Sequence, residues 1–189
     1  MNYVWFMLSA IPIGLGLSYL LNRGTVNALT PIAEKYNGSV SSGWYFGPTE
    51  LTIPYRGFTL HITPYINARR SQIGDPSIQA VLKLDAPHFP ELSLRRYSLV
   101  LFKKNSDDPI PTGDEEFDRR FVIHGNAGSV KKVFTKTVRE QLKNEKLNGA
   151  SITLEPNKFV MSAYCNNLDG QVYEAFTEAV LAVLDQAWS

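Results

Sequence analysis

Nineteen consecutive residues near the start of the chain, Tyr3–Leu21 (YVWFMLSAIPIGLGLSYLL), carry no formal charge. A helix rising about 1.5 Å per residue over that run would reach roughly 28 Å, the thickness of a bilayer's hydrocarbon core. Tyr3, Trp5 and Tyr19 sit near its ends, where amphipathic rings prefer the headgroup level, and Arg23 is the first charge beyond it. Pro12 would break a soluble helix but is tolerated in a membrane span. A cleaved secretory signal is the rival reading. It fails because no Lys or Arg precedes Arg23 and SYLLNRG offers no small-x-small cleavage site. The run therefore predicts a single transmembrane anchor over residues 1–23 and a soluble domain over 24–189. Arg23 and Lys35 on the C-terminal side place that domain in the cytoplasm by the positive-inside rule. Ala10, Gly14 and Ser18 recur every four residues on one helix face, a small-residue stripe through which membrane helices associate with a partner helix.

Beyond the run the hydrophobic period changes twice. Thr30-Pro31 reads as a helix start and Asn37-Gly38 as its end, with Leu29, Ile32, Ala33 and Tyr36 on one face. Alternation then predicts strands. Leu51 and Ile53 pair with Phe58, Leu60 and Ile62 across a Tyr55-Arg56-Gly57 turn. Ile78 to Leu84, Leu94 to Phe102 and Asp118 to His124 follow as further strands. A helical period returns after Ser129, with Val130, Val133, Phe134, Val138 and Leu142 on its buried side. Ser151–Glu155 and Lys158–Tyr164 face each other across Pro156-Asn157 as a second hairpin. Asp169 caps a last helix whose apolar stripe runs from Val172 to Trp188. The expected class is α+β: a transmembrane helix followed by an antiparallel sheet covered by two or three helices.

Chemistry is sparse. Nineteen basic against eighteen acidic residues give a formal charge of +1, without the basic surplus of a nucleic-acid binder. One cysteine, Cys165, excludes a disulfide framework. His61, His88 and His124 share no metal-ligand spacing, so neither a metal nor a cofactor is expected. No nucleophile elbow, P-loop or dinucleotide fingerprint lies in the soluble part. Cys165, just ahead of the last helix, is the one conceivable reactive thiol. In Phe117-Asp118-Arg119-Arg120-Phe121, read as a strand, each face carries an arginine beside apolar groups. Arg119 or Arg120 would then contact an anionic partner, or else pair with a local carboxylate.

The segment Gly113, Asp114, Phe117, Asp118 and Phe121 forms a GD-x-x-FD-x-x-F pattern. With the helix, hairpin and helix that follow, it resembles a group of bacterial membrane-anchored proteins of unknown function. The resemblance implies an architecture and a bacterial inner-membrane, single-pass location, and no activity. Together these readings predict a non-enzymatic accessory, assembly or stabilising subunit of a larger membrane complex, such as a respiratory or photosynthetic one. Its partners would be membrane lipid and other membrane subunits. The alternative is a tethered binding module for a lipid-like or apolar ligand held between the sheet and the last helix, and an enzyme with an unrecognised site comes third.

Overall fold

The computed structural model describes residues 23–42, 49–67, 75–96 and 108–188. It opens on helix α1 (23–35), which is followed by strands β1 (Ser39–Ser42), β2 (Thr49–Tyr55), β3 (Phe58–Asn67), β4 (Asp75–Lys83) and β5 (Leu92–Arg96). Helix α2 (Glu115–Arg120) leads directly into β6 (Phe121–Gly125), and α3 (Ala127–Val133) and α4 (Lys136–Leu142) follow. The β7–β8 hairpin (Asn148–Glu155, Lys158–Tyr164) and the long α5 (Gly170–Trp188) complete the chain.

The eight strands form one antiparallel sheet in the order β1-β2-β3-β4-β8-β7-β5-β6. The β7–β8 hairpin is thus inserted between β4 and β5, strands that precede it in sequence. Register explains why one face is buried. Leu51, Ile62, Ala80, Met161, Ile152, Leu94 and Ile123 align as one row across seven strands. Every one of these side chains is at most 1% exposed. The next row on the opposite face runs Thr52, His61, Val81, Val160, Thr153, Ser93 and His124, and none of these residues is buried. Because side chains alternate with period two, a slip of one residue would put the polar row into the core.

Helix α5 supplies the other half of that core. Val172, Phe176, Ala179, Val180, Val183 and Leu184 recur at helical spacing and are all buried in the same cluster as the sheet row. Leu29, Ile32 and Ala33 of α1 join them. Asp169 caps α5 by accepting from the Val172 N–H at 2.9 Å, as the sequence suggests.

Several sequence expectations are corrected. The chain was expected to be led by a transmembrane helix. Among the described residues, however, no helix is long and apolar enough to cross a membrane. The longest, α5, has 19 residues but is amphipathic, with Glu174, Glu178 and Asp185 outside its apolar stripe, and the described α1 carries Arg23, Glu34 and Lys35. The single-pass, inner-membrane placement is corrected with it. The anchor expected over residues 1–23 falls, apart from Arg23, outside the described residues. So do its interface residues Tyr3, Trp5 and Tyr19 and its stripe Ala10, Gly14 and Ser18. The helices are five among the described residues, rather than two or three.

Local corrections have local causes. Helix α1 is already formed at residue 23, and Thr30 is no cap: its hydroxyl donates to the Val26 carbonyl one turn back, at 2.8 Å. Its end is the Asn37-Gly38 stop. Asn37 takes φ +53° while Gly38 N–H reaches back to the Ala33 carbonyl at 2.7 Å. The helix expected from Ser129 is two. Asn126 caps the first and Thr135 the second, with Phe134 out of helical conformation at φ −91°, ψ 60°. The apolar set from Val130 to Leu142 stays buried across the break. The strand expected over Asp118–His124 starts only at Phe121, because residues 115–120 are helical.

Candidate functional site

Each residue of the GD-x-x-FD-x-x-F segment has a structural task. Gly113 takes φ +85°, a backbone conformation that costs glycine little. Asp114 accepts from the Phe117 N–H at 3.1 Å as the N-cap of α2. It also receives Arg139 Nε and Lys143 Nζ of α4, each at 3.3 Å. The Phe117 amide, followed by Lys143 and Arg139, holds the Asp114 carboxyl below the usual range. Phe117 is fully buried against Phe121 and Phe134. Asp118 accepts from the amides of Thr112 and Gly113 and from the Thr112 hydroxyl, pinning the loop ahead of the helix.

The two arginines read as anion contacts differ in position. Arg119 is 78% exposed, and its nearest carboxylate is Glu115 at 3.4 Å, one turn away. Arg120 bonds Glu116 at 2.8 Å and the Lys143 carbonyl at 3.4 Å. It also lines a cleft of about 300 Å³ with Arg96, Lys143 and Asn144.

Cys165 is not an activated thiol. It is buried, and desolvation followed by the nearby Asp169 charge pushes its pKa up to about 11. The histidines do not converge. His61 pairs with Glu50 at 2.9 Å on the open sheet face. His88 stacks on Trp188 with ring centroids 5.1 Å apart. His124 sits at the β6 edge beside Gly125 and Asn126. Among the described residues no group of three or more His, Cys, Asp or Glu is placed to hold a metal ion.

A ligand held between the sheet and α5 finds the space filled. Phe159, Met161, Phe176, Val180 and Leu184 meet there at 0% exposure, so side chains occupy the layer. A cleft with an apolar wall lies at the side instead, where α1 crosses the start of α5. Ala28, Pro31 and Ile32 line a cleft of about 460 Å³ opposite Gly170 and Gln171. Gly170 faces α1 with room for a side chain, since a Cβ there would stand 3.6 Å from the Ala28 carbonyl oxygen, an ordinary contact. At one end Lys35 bonds Glu174 at 2.8 Å and Glu178 at 3.0 Å. Those two carboxylates hold the ammonium protonated well above its usual range. The cleft is therefore apolar along α1, while Lys35 and Glu174 at this closure and Asp169 and Gln171 at the start of α5 make the rest of its lining polar. The sequence carried no signal for it, because helix–helix juxtaposition over 140 residues is a tertiary fact.

No protein-family model matches the chain, and no curated protein does. The fold does have a counterpart among solved structures. The chain is similar to the crystal structure of the mycobacterial trehalose monomycolate transport factor A, TtfA, with a TM-score of 0.50 and 13% identity. The match covers 87% of this chain and 94% of that one. At that identity the likeness concerns the fold.

Proposed function

We propose that this protein is a non-catalytic binding module for a lipid-like or apolar ligand, with the α1–α5 cleft as its binding surface. The observation that carries this reading is the cleft itself. Its wall along Ala28, Pro31 and Ile32 is apolar, it adjoins the buried core, and its single cation is already matched by Glu174 and Glu178. Such a surface suits a hydrocarbon chain along its α1 wall, since burial there releases water from apolar area, while the Asp169 carboxylate in the lining is already met by the Val172 N–H and the Asn167 amide. The shared fold with a protein described as a trehalose monomycolate transport factor, rather than an enzyme, adds support. Membrane lipid is the natural source of such a ligand.

A fluorescent fatty acid titrated against the full chain tests the reading. Saturable binding is expected. Gly170→Leu, which fills the cleft from a position with space for a side chain, should weaken it about tenfold, a loss of about 1.4 kcal/mol. Pro31→Glu, at an exposed wall position, should do the same by charging the apolar side. Binding that neither variant alters would overturn the site, and no saturable binding at all would overturn the reading.

A further inference from the structure

We propose that the open face of the sheet is a dimer interface, occupied by a second copy of this chain about a two-fold axis parallel to the strands. The helices bury their apolar residues in one cluster with the core-side row, so among the described residues no helix covers the opposite face. The register fixes the order of charges along one end of that face. Lys83 of β4 and Lys158 of β8 are directly opposite each other, and Glu155 of β7 is opposite Lys158. Glu91, two positions before Ser93, follows beyond Glu155, and all three line one cleft with Thr153. The row therefore reads two cations and then two anions, with its midpoint at the β8–β7 boundary. None of the four has an ion-pair partner among the described residues, and two lysines side by side cost stability when nothing neutralises them. A two-fold axis through that midpoint sets the second copy's Glu155 over Lys158 and its Glu91 over Lys83. Symmetry repeats both pairs, and no like charges meet within the row. The rows behind it fit the same operation. Val160 meets Thr153 and Ser162 meets Ser151, compact uncharged side chains that let two sheets stack about 10 Å apart. Six strands overlap, β3 and β4 on one side and β5 and β6 on the other with β8 and β7 between. At about 4.8 Å per strand and about 17 Å of strand length this covers roughly 500 Å² per copy, or roughly 1,000 Å² in the pair. That is the lower limit for a specific interface, so the dimer is a reversible one.

The face lies across the sheet from α1 and α5, and the proposal stands whether or not their cleft binds an apolar ligand. Analytical ultracentrifugation of the full chain over micromolar concentrations tests it. A monomer–dimer equilibrium is expected, weakening as salt is raised. Lys158→Glu and Glu155→Lys each bring like charges together at the axis, and each should raise the dimer dissociation constant about tenfold or more. The Lys158→Glu/Glu155→Lys swap exchanges the two charges and should restore the dimer, a rescue that a change in fold stability alone would not produce. Lys131→Glu, a charge reversal on α3 away from this face, should leave the equilibrium unchanged. Where a reversal fails to fold, the salt dependence of the unaltered chain decides. A chain that stays monomeric leaves the face to another occupant and overturns the proposal. So does a dimer that is insensitive to salt, that neither reversal weakens, or that the swap fails to restore.

Discussion

Helix α5 and the corner built by α2, α3 and α4 are held by different physics. The long helix presents nine buried residues on one stripe and packs them on a sheet row that is itself fully covered. The short helices, of 6, 7 and 7 residues, are below the length at which a helix holds itself in water. They are kept by side-chain caps (Asp114, Asn126, Thr135) and by the Asp114–Arg139–Lys143 cluster, with Phe117 and Phe134 as their apolar anchors. The lesson is that apolar burial sets the layer while local polar chemistry shapes its perimeter. Both clefts lie on that perimeter, where packing is incomplete.

Substitutions can break the contrast in order of size. Phe176→Ala and Phe117→Ala each empty a fully buried aromatic site, one on either side of the comparison. Both should cost about 3–5 kcal/mol in urea unfolding. A much smaller cost for Phe117→Ala would show that the corner is held by its polar network alone. Gly38→Ala is next. A Cβ there would collide with the Thr52 carbonyl where the α1 stop crosses β2, so a loss of about 1–3 kcal/mol is expected, visible in the same measurement. Thr135→Ala should cost about 1 kcal/mol by removing the α4 cap, and hydrogen exchange should report it in α4 before α5.

Acid sharpens the contrast further. The Asp114 and Asp169 carboxyls are both held below the ordinary value of 3.8, each first by a backbone N–H at a helix start. A depressed carboxylate contributes stability that is fully present above the unfolded value and is lost as pH falls through the folded one. Asp114→Asn should therefore flatten the decline of stability below pH 3.8, leaving a variant that is weaker at neutral pH but less acid-sensitive. Acid titration of unfolding free energy for the two chains checks this, and an unchanged slope contradicts it. The smallest expected effect is Tyr173→Phe. The Tyr173 hydroxyl lies in the α5 core with no hydrogen-bond partner in the structure, and burial raises its pKa. Its removal should leave stability unchanged or raise it by up to about 1 kcal/mol.

How much of this was legible in the sequence differs between the same two regions. The α5 stripe, the Asp169 cap and the two hairpins are stated by period and turn chemistry, and the structure has them where the pattern puts them. The corner is misread because short elements offer too few repeats to fix a period. Phe117, Arg119 and Phe121 alternate as a strand would, yet residues 115–120 are helical. A helical signal was present: Asp114 as cap, acidic residues in the first turn, and Glu115–Arg119 and Glu116–Arg120 pairs one turn apart. Thr135 likewise announced a cap in the middle of a continuous apolar stripe. The order of strands was not legible, since nothing local tells β5 to pair with β7 beyond an inserted hairpin. Neither cleft was legible for the same reason: Ala28 and Gly170, or Arg96 and Arg120, meet only after the sheet has formed.

The proposed function puts an apolar chain between α1 and the start of α5. A diazirine-bearing fatty acid, photolysed with the full chain and mapped by peptide mass spectrometry, tests it most directly. Labels should concentrate on residues 28–32 and 170–174 and should disappear when excess unlabelled fatty acid is added. Labelling that is not displaced, or that falls on the open sheet face around Thr52, Val81 and Val160, would contradict the account.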